Sequence, residues 1–363
     1  MRYPSIDLMR TVAICLMVIV HFVENLSGQK SYPWLPTGFA APIFTFLSGI
    51  SYSLWLNSQR SHGATEELIS KRTVRRGLFL LGVGFAFNIL VWMPDDTYNW
   101  DVLTFVGSAW LFLGFVRDLP AIVSVSICVM VFVFSPVMRV VADYPAYWTT
   151  GYFDCDMELS QVSLGFLVTG YFPFFPWIIL PLAGYLIGQR MLVDGTDPPP
   201  SFHWLALAGA SLMGVAWLSV RFRDQTPAVV QKHLLKGWTM FPPSPEYLLT
   251  TMGFVLLVFS LLHQWIDRNP RFQVHRAFAV TAASFSQHAF TMYLLHHVVH
   301  LWPLWIYGVI AGHDATHYWQ TGTSLGTALT LAILFLVVAA LFLRWMDRTN
   351  TPGMESLMRW LCD

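Results

Sequence analysis

The 363-residue sequence predicts an all-α, polytopic integral membrane protein of about ten transmembrane helices with both termini cytoplasmic. Three observations lead there. Only 12% of the residues are charged and 55% are hydrophobic, whereas a soluble domain carries about 25% charge. Apolar stretches of roughly 18 to 25 residues recur along the whole length. Lys and Arg are distributed unevenly between the connections, as membrane topology demands.

The first apolar stretch, 8–27, is long enough to span, and no A-x-A-like site follows it, so it reads as a transmembrane helix and not as a cleavable signal. The next candidates are 36–56, 74–93, a shorter one at 101–117, 119–138, 171–191, 203–221 and 247–265. A ninth, 282–309, is rich in histidine and contains Pro303, which predicts a kink or two pieces. The tenth is 325–346. With a cytoplasmic N-terminus, fourteen Lys and Arg fall on inner segments and six on outer ones. The spans form a single transmembrane domain over 1–363, with no appended soluble domain and no internal repeat.

Formal net charge is zero, so no electrostatic footprint for nucleic acid exists. The four cysteines show no metal-ligand spacing, and Cys15 and Cys128 read as small buried hydrophobes. Outer segment 139–170 mixes Tyr144, Tyr147, Trp148, Tyr152 and Phe153 with Asp143, Asp154, Asp156 and Glu158; a second outer segment covers 222–246. Such aromatics and carboxylates suit sugar binding and an interfacial aromatic belt equally.

The informative residues in a membrane are those expensive to bury. Asp7 and Arg10 lie one turn apart on the first span and are spaced to pair. His21 follows eleven residues later, roughly 16 Å along the axis and on nearly the same face. One polar stripe thus leads from the inner mouth towards the outer side, with Glu24 one turn beyond. Read alone, Arg10 is also a snorkelling side chain and His21 an interfacial one.

Arg10-x10-His21 behind Ile6-Asp7 resembles the N-terminal signature of the transmembrane acyltransferase superfamily, which includes the acyltransferase-3 glycan O-acetylating enzymes and the heparan-α-glucosaminide N-acetyltransferase-like branch. Ala41-Pro-Ile-Phe-Thr-Phe-Leu-Ser-Gly49 resembles the second-helix motif of both branches. Phe174-Phe-Pro-Trp177 with Pro181-Leu-Ala-Gly-Tyr-Leu-Ile-Gly188, and Phe241-Pro-Pro-Ser-Pro-Glu-Tyr-Leu-Leu249, are similar to the bacterial heparan-acetyltransferase-like proteins. Ser286 followed by Met292-Tyr-Leu-Leu-His296 is similar to the superfamily's late motif. The animal lysosomal branch carries Asn in the place of His21, so the chain is closer to the bacterial form.

The resemblance implies transfer of an acyl group, acetyl by the family's habit, from cytoplasmic acyl-CoA to an extracytoplasmic glycan or related acceptor, O-acetylation ahead of N-acetylation. It implies a bacterial inner membrane and acetyl-CoA as donor. His21 is then the general base or a transient acyl carrier, and Arg10 and His296 complete the catalytic group. Arg10, Arg72, Arg75 and Arg76 are the candidates for the donor's phosphates, although positive-inside topology alone also accounts for the last three. Asp7, Glu24 and Glu246 are secondary candidates. His296 and His300 are four apart on one helix face, but no Glu-x-x-His companion follows, and no metal is expected. A transporter or flippase for a small or lipid-linked solute, and an inactive scaffold of the same fold, are the competing readings. Oligomeric state is unreadable; Gly184 and Gly188 are spaced for helix packing.

Overall fold

A computed structural model describes residues 2–28, 37–93, 96–151, 158–193, 202–235, 237–269 and 275–363. Tyr152, Phe153, Asp154 and Asp156 of the outer segment 139–170 lie outside the described residues, as do Lys30, Lys236 and Arg271 of the charge count. Among the described residues the regular elements are helical, and the one extended pairing is an isolated bridge between Met240 and Pro243.

The principal helices are α1 (Pro4–Ser27), α2 (Ala40–Ser61), α3 (Glu66–Phe87), α4 (Val102–Val116), α5 (Ala121–Val141), α6 (Ile179–Gly188), α7 (His203–Arg221), α8 (Pro245–Leu262), α9 (Arg276–Gln287), α10 (Ala289–Ile310), α11 (Leu325–Thr349) and α12 (Met354–Cys362). Among the described residues seven helical stretches are long and apolar enough to cross a membrane: Pro4–Ser27, Glu66–Trp92, Ala121–Val141, Leu159–Leu192, His203–Arg221, Pro245–Asp267 and Leu325–Thr349. Val102–Val116 is apolar but shorter.

The ninth apolar stretch is indeed two pieces, but Pro303 is not the break. The chain turns at His288 (φ −107°, ψ 28°), between α9 and α10, and α10 runs through Pro303. His288 Nε2 lies 2.9 Å from Asp347 Oδ1, and Ser284 Oγ donates to the same carboxylate at 2.6 Å. The turn is therefore held by a carboxylate from α11. A proline inside a buried membrane helix is tolerated because neighbouring helices satisfy the freed backbone group.

The chain divides into two compact units, one joining the residues up to Phe44 with Leu262–Leu361 and Asp363, the other holding Thr45–Leu261 and Cys362. In the first, α1 packs against α9, α10 and α11. Ala328, Ala332, Phe335, Ala339, Leu343 and Met346 form the buried stripe of α11, and Phe335 meets Phe22 of α1. The other face of α11 exposes Ile333, Leu334, Val337, Val338 and Leu341. A helix apolar on both its buried and its exposed face is one whose solvent is lipid.

In the second unit helices also approach closely through their backbones. A Cβ on Gly49 of α2 would stand 2.0 Å from the Pro181 carbonyl oxygen, and one on Gly184 of α6 2.0 Å from that of Phe46. The glycine spacing thus serves packing within the chain. At the end of α4, Arg117 bonds Glu66 (3.0 Å) and Asp118 (3.1 Å), and Arg60 bonds the same two carboxylates.

Gly49→Ala is expected to cost about 1–3 kcal/mol by overpacking, seen as a lower melting temperature in detergent. Gly214→Ala, where a Cβ meets nothing within 4 Å, should leave it unchanged or slightly higher. Partial burial pushes the Asp118 carboxyl up, but the bonds from Arg117 and Arg60 outweigh it and hold it below its usual value. The stability it contributes is present above the unfolded pKa of about 3.9 and is lost as pH falls through the folded value. Because its side chain is 61% exposed, the effect is small. Melting measured from pH 7 down to pH about 3 should fall less steeply in Asp118→Asn than in wild type.

Candidate active site

Arg10, His21 and Asn25 of α1 each bond a side chain of the α9–α10 pair, all within the first unit. Arg10 Nη1 donates to Ser286 Oγ at 2.7 Å and to the Ser286 carbonyl at 3.3 Å. His21 Nδ1 lies 2.9 Å from His296 Nε2, and Asn25 Nδ2 2.9 Å from His300 Nε2. The sequence separations are 276, 275 and 275. A constant offset means that the helices run parallel with equal rise, so the stripe on α1 is matched turn by turn.

Neither helix caps its own N-terminus by a side chain. Asp267 does it for α1, its Oδ1 accepting from Ser5 N at 3.0 Å and its Oδ2 from Ser5 Oγ, while His263 Nδ1 lies 2.6 Å from that same Oδ2. Glu355, at the start of α12, does it for α10, accepting from Phe290 N (2.7 Å), Thr291 N (3.0 Å) and Thr291 Oγ1 (2.6 Å). Helix N-termini leave free donors and a partial positive charge, and a carboxylate answers both.

The hydrogen bonds fix the tautomers. His296 Nδ1 lies 3.0 Å from the Met292 carbonyl oxygen, which only accepts, so Nδ1 carries the proton and neutral His296 has its lone pair on Nε2. His21 Nδ1 faces that lone pair and must donate to it. Among the described residues no hydrogen-bond partner meets His21 Nε2, which carries the ring's lone pair. The second tier follows the same logic. His300 Nδ1 donates to the His296 carbonyl at 2.5 Å, its Nε2 accepts from Asn25 Nδ2, and Asn25 Oδ1 accepts from Trp319 Nε1 at 3.2 Å. The loop after α10 is also tied to α1 by its backbone, Gln320 N to Asn25 O and Thr323 N to Leu26 O.

His296, His297 and His300 are buried and His21 is half-buried. The His297 ring centroid lies 4.6 Å from that of His21 and 4.0 Å from that of His296. Three imidazoles therefore share one spot.

Of the residues singled out in the sequence, the structure brings His21 and His296 together and places Arg10 on the same helix face, against Ser286. Asp7 bonds Arg2 at 2.6 Å and lies near enough to Arg10 for their charges to interact. Asn25, four residues past His21 and about 40° round the helix, continues the stripe better than Glu24 does, about 60° the other way. That signal was present in the spacing. Asp267, Glu355 and Trp319 had none, because their partners are remote in sequence. In the second unit Glu246 is buried and accepts from Gly237 N at 3.2 Å. There Arg76 lies over the Trp55 ring at 4.8 Å, Arg72 donates to Gln59, and Arg75 is exposed. The two proline-rich stretches meet in that unit through Phe172, Trp177, Phe241 and Tyr247.

A family model described as heparan-alpha-glucosaminide N-acetyltransferase, catalytic, matches residues 2–219, more than half of the chain. The chain belongs to this family. A comparison with curated proteins finds no match. Family membership and the apolar helices together make the protein an integral membrane protein of acetyltransferase-like function. The matched residues of this heparan-acetyltransferase family member include Arg10 and His21; Ser286, His296 and His297 come after them.

Two outcomes check the geometry. The 15N resonances of His21 should show a protonated Nδ1 and an unprotonated Nε2; the reverse pattern would overturn the tautomer assignment. Glu355→Ala should cost about 1–2 kcal/mol in a denaturation experiment and broaden the His296 signals.

Proposed function

We propose that residues 1–363 act as one membrane-embedded acetyltransferase, moving an acetyl group from cytoplasmic acetyl-CoA to a hydroxyl of an extracytoplasmic glycan. The observation that carries this reading is the lone pair on His21 Nε2, held by an imidazole chain that ends on a backbone carbonyl. Family membership supplies the acetyl chemistry, and the preference for a hydroxyl acceptor rests on the resemblance to the O-acetylating branch. A bacterial inner membrane is the setting in which the inside-positive count and this donor agree.

In direct transfer His21 Nε2 takes the proton of the acceptor hydroxyl as its oxygen attacks the thioester carbonyl. The new C–O bond forms, the C–S bond breaks, and His21 returns the proton to the departing thiolate. In the two-step variant His21 Nε2 itself attacks, an N–C bond replaces the C–S bond, and the acceptor oxygen then displaces the imidazole, whose freed Nε2 takes the acceptor's proton and passes it to the thiolate. Both put positive charge on His21. The Nδ1–H bond to His296 spreads that charge and holds the ring in place, the work a carboxylate does in a hydrolase triad.

Arg10, one end of the stripe, is suited to an anionic part of the donor while Ser286 orients its guanidinium. Arg72, Arg75 and Arg76 of the second unit are a separate set of candidates for CoA phosphates. Asp7, Glu24 and Glu246 stay secondary.

Acetyl-CoA hydrolysis and transfer by purified protein tests the reading. His21→Ala should lower kcat by about 10²–10⁴-fold, and Arg10→Ala should act mainly on KM for acetyl-CoA. A well-folded wild type that neither binds nor turns over any acyl-CoA would end the enzyme reading and bring the transporter or scaffold forward.

A further inference from the structure

Proposed transfer uses two of the three clustered imidazoles and leaves His297 without a task. His297 is 2% exposed, and its ring faces both partners. The ligand nitrogens of His21, His296 and His297 all lie within 4.8 Å of one another. We infer that these three histidines form a binding site for one transition-metal ion of the Zn²⁺, Co²⁺, Ni²⁺ or Cu²⁺ class.

The donor set decides the class. It holds three neutral imidazoles and no carboxylate, which suits these ions and not Ca²⁺ or Mg²⁺. The outer bond of His296 fits as well. Histidine ligands commonly donate their second ring N–H to a carbonyl or carboxylate, and His296 Nδ1 does so to Met292, leaving Nε2 for the metal. Metal–nitrogen distances of about 2.0–2.1 Å put tetrahedral donors about 3.3 Å apart by the same geometry. The 2.9 Å between His21 Nδ1 and His296 Nε2 is close to that, and small rotations bring His297 in. The half-exposed side of His21 leaves a fourth position to water or an anion that offsets the ion's charge.

His300 is excluded by its bonds, although its spacing from His296 is the one that suggests a metal in sequence. Both its nitrogens are engaged, Nδ1 with the His296 carbonyl and Nε2 with Asn25. The third ligand comes instead from another helix.

Binding has a direct consequence for the proposed reaction. When the metal takes His21 Nδ1, the neutral ring keeps one proton, and it moves to Nε2. No net proton is released, and the lone pair that serves as base disappears. The metal is therefore an inhibitor of transfer, a clause that rests on the proposed function; the site itself does not.

The test uses full-length protein purified in detergent without a polyhistidine tag, stripped with chelator and titrated with Co²⁺. Expected are one ion per chain by elemental analysis and visible d–d bands of a nitrogen-ligated ion. His297→Gln should weaken binding by at least about ten-fold, and His300→Gln should leave it unchanged. Equal binding by wild type and His297→Gln, or a wild type that shows no bands and retains no ion, would overturn the site. Should His297→Gln fail to fold, the wild-type bands and stoichiometry decide alone. Zn²⁺ should slow acetyl transfer, reversibly with chelator. Ion binding without any acyl-CoA turnover would retain the site and reject the transfer reading; turnover without ion binding would do the opposite.

Discussion

The bond from His296 Nδ1 to the Met292 carbonyl sets the direction of the bonds around it. A carbonyl oxygen has no proton to give, so the choice of tautomer passes outward from it to His296 and then to His21. The same restriction, one turn later, orients His300, Asn25 and Trp319. Each such bond in a membrane protein contributes only about 0.6 kcal/mol on average. Their value lies in direction more than in energy, because His21, His296 and His300 each have one polarity in which these bonds are all made.

That arrangement needs two helices in register, and the register is kept at several levels. Thr11 Oγ1 bonds the Ala282 carbonyl and Arg2 that of Ala283, so the α1–α9 contact begins below Arg10. The turn at His288 is clamped by Asp347. Both N-termini are closed by carboxylates from elsewhere in the chain. Polar groups placed this way cost little in lipid, since each is delivered to a partner as the helices pack.

Much of this was legible in the sequence. Hydropathy found the helical stretches, and the eleven-residue spacing of Arg10 and His21 placed both on one face. The pairing of His21 with His296 came through resemblance, since no periodicity relates residues 275 apart. The break at His288 was hidden because Pro303 is the stronger local signal, while the actual turn depends on Asp347 of another helix. The bond from Arg2 to Asp7 was hidden for a similar reason: spacing shows which residues can meet, and it does not show how many partners one carboxylate takes. The role of Asn25 could have been read from its angle on the helix. The caps could not, because a cap supplied across the fold leaves no trace next to the helix it closes.

Those remote caps also order events in time. Asp267 is made 262 residues after Ser5, so most of the chain is translated while the start of α1 still lacks the group that closes it. His296 and His21 are likewise separated by 275 residues of synthesis, and Glu355 follows Phe290 by another 65. A nascent chain thus carries His21 into the bilayer long before anything fixes its ring. The imidazole chain comes into being only as the last helices leave the ribosome.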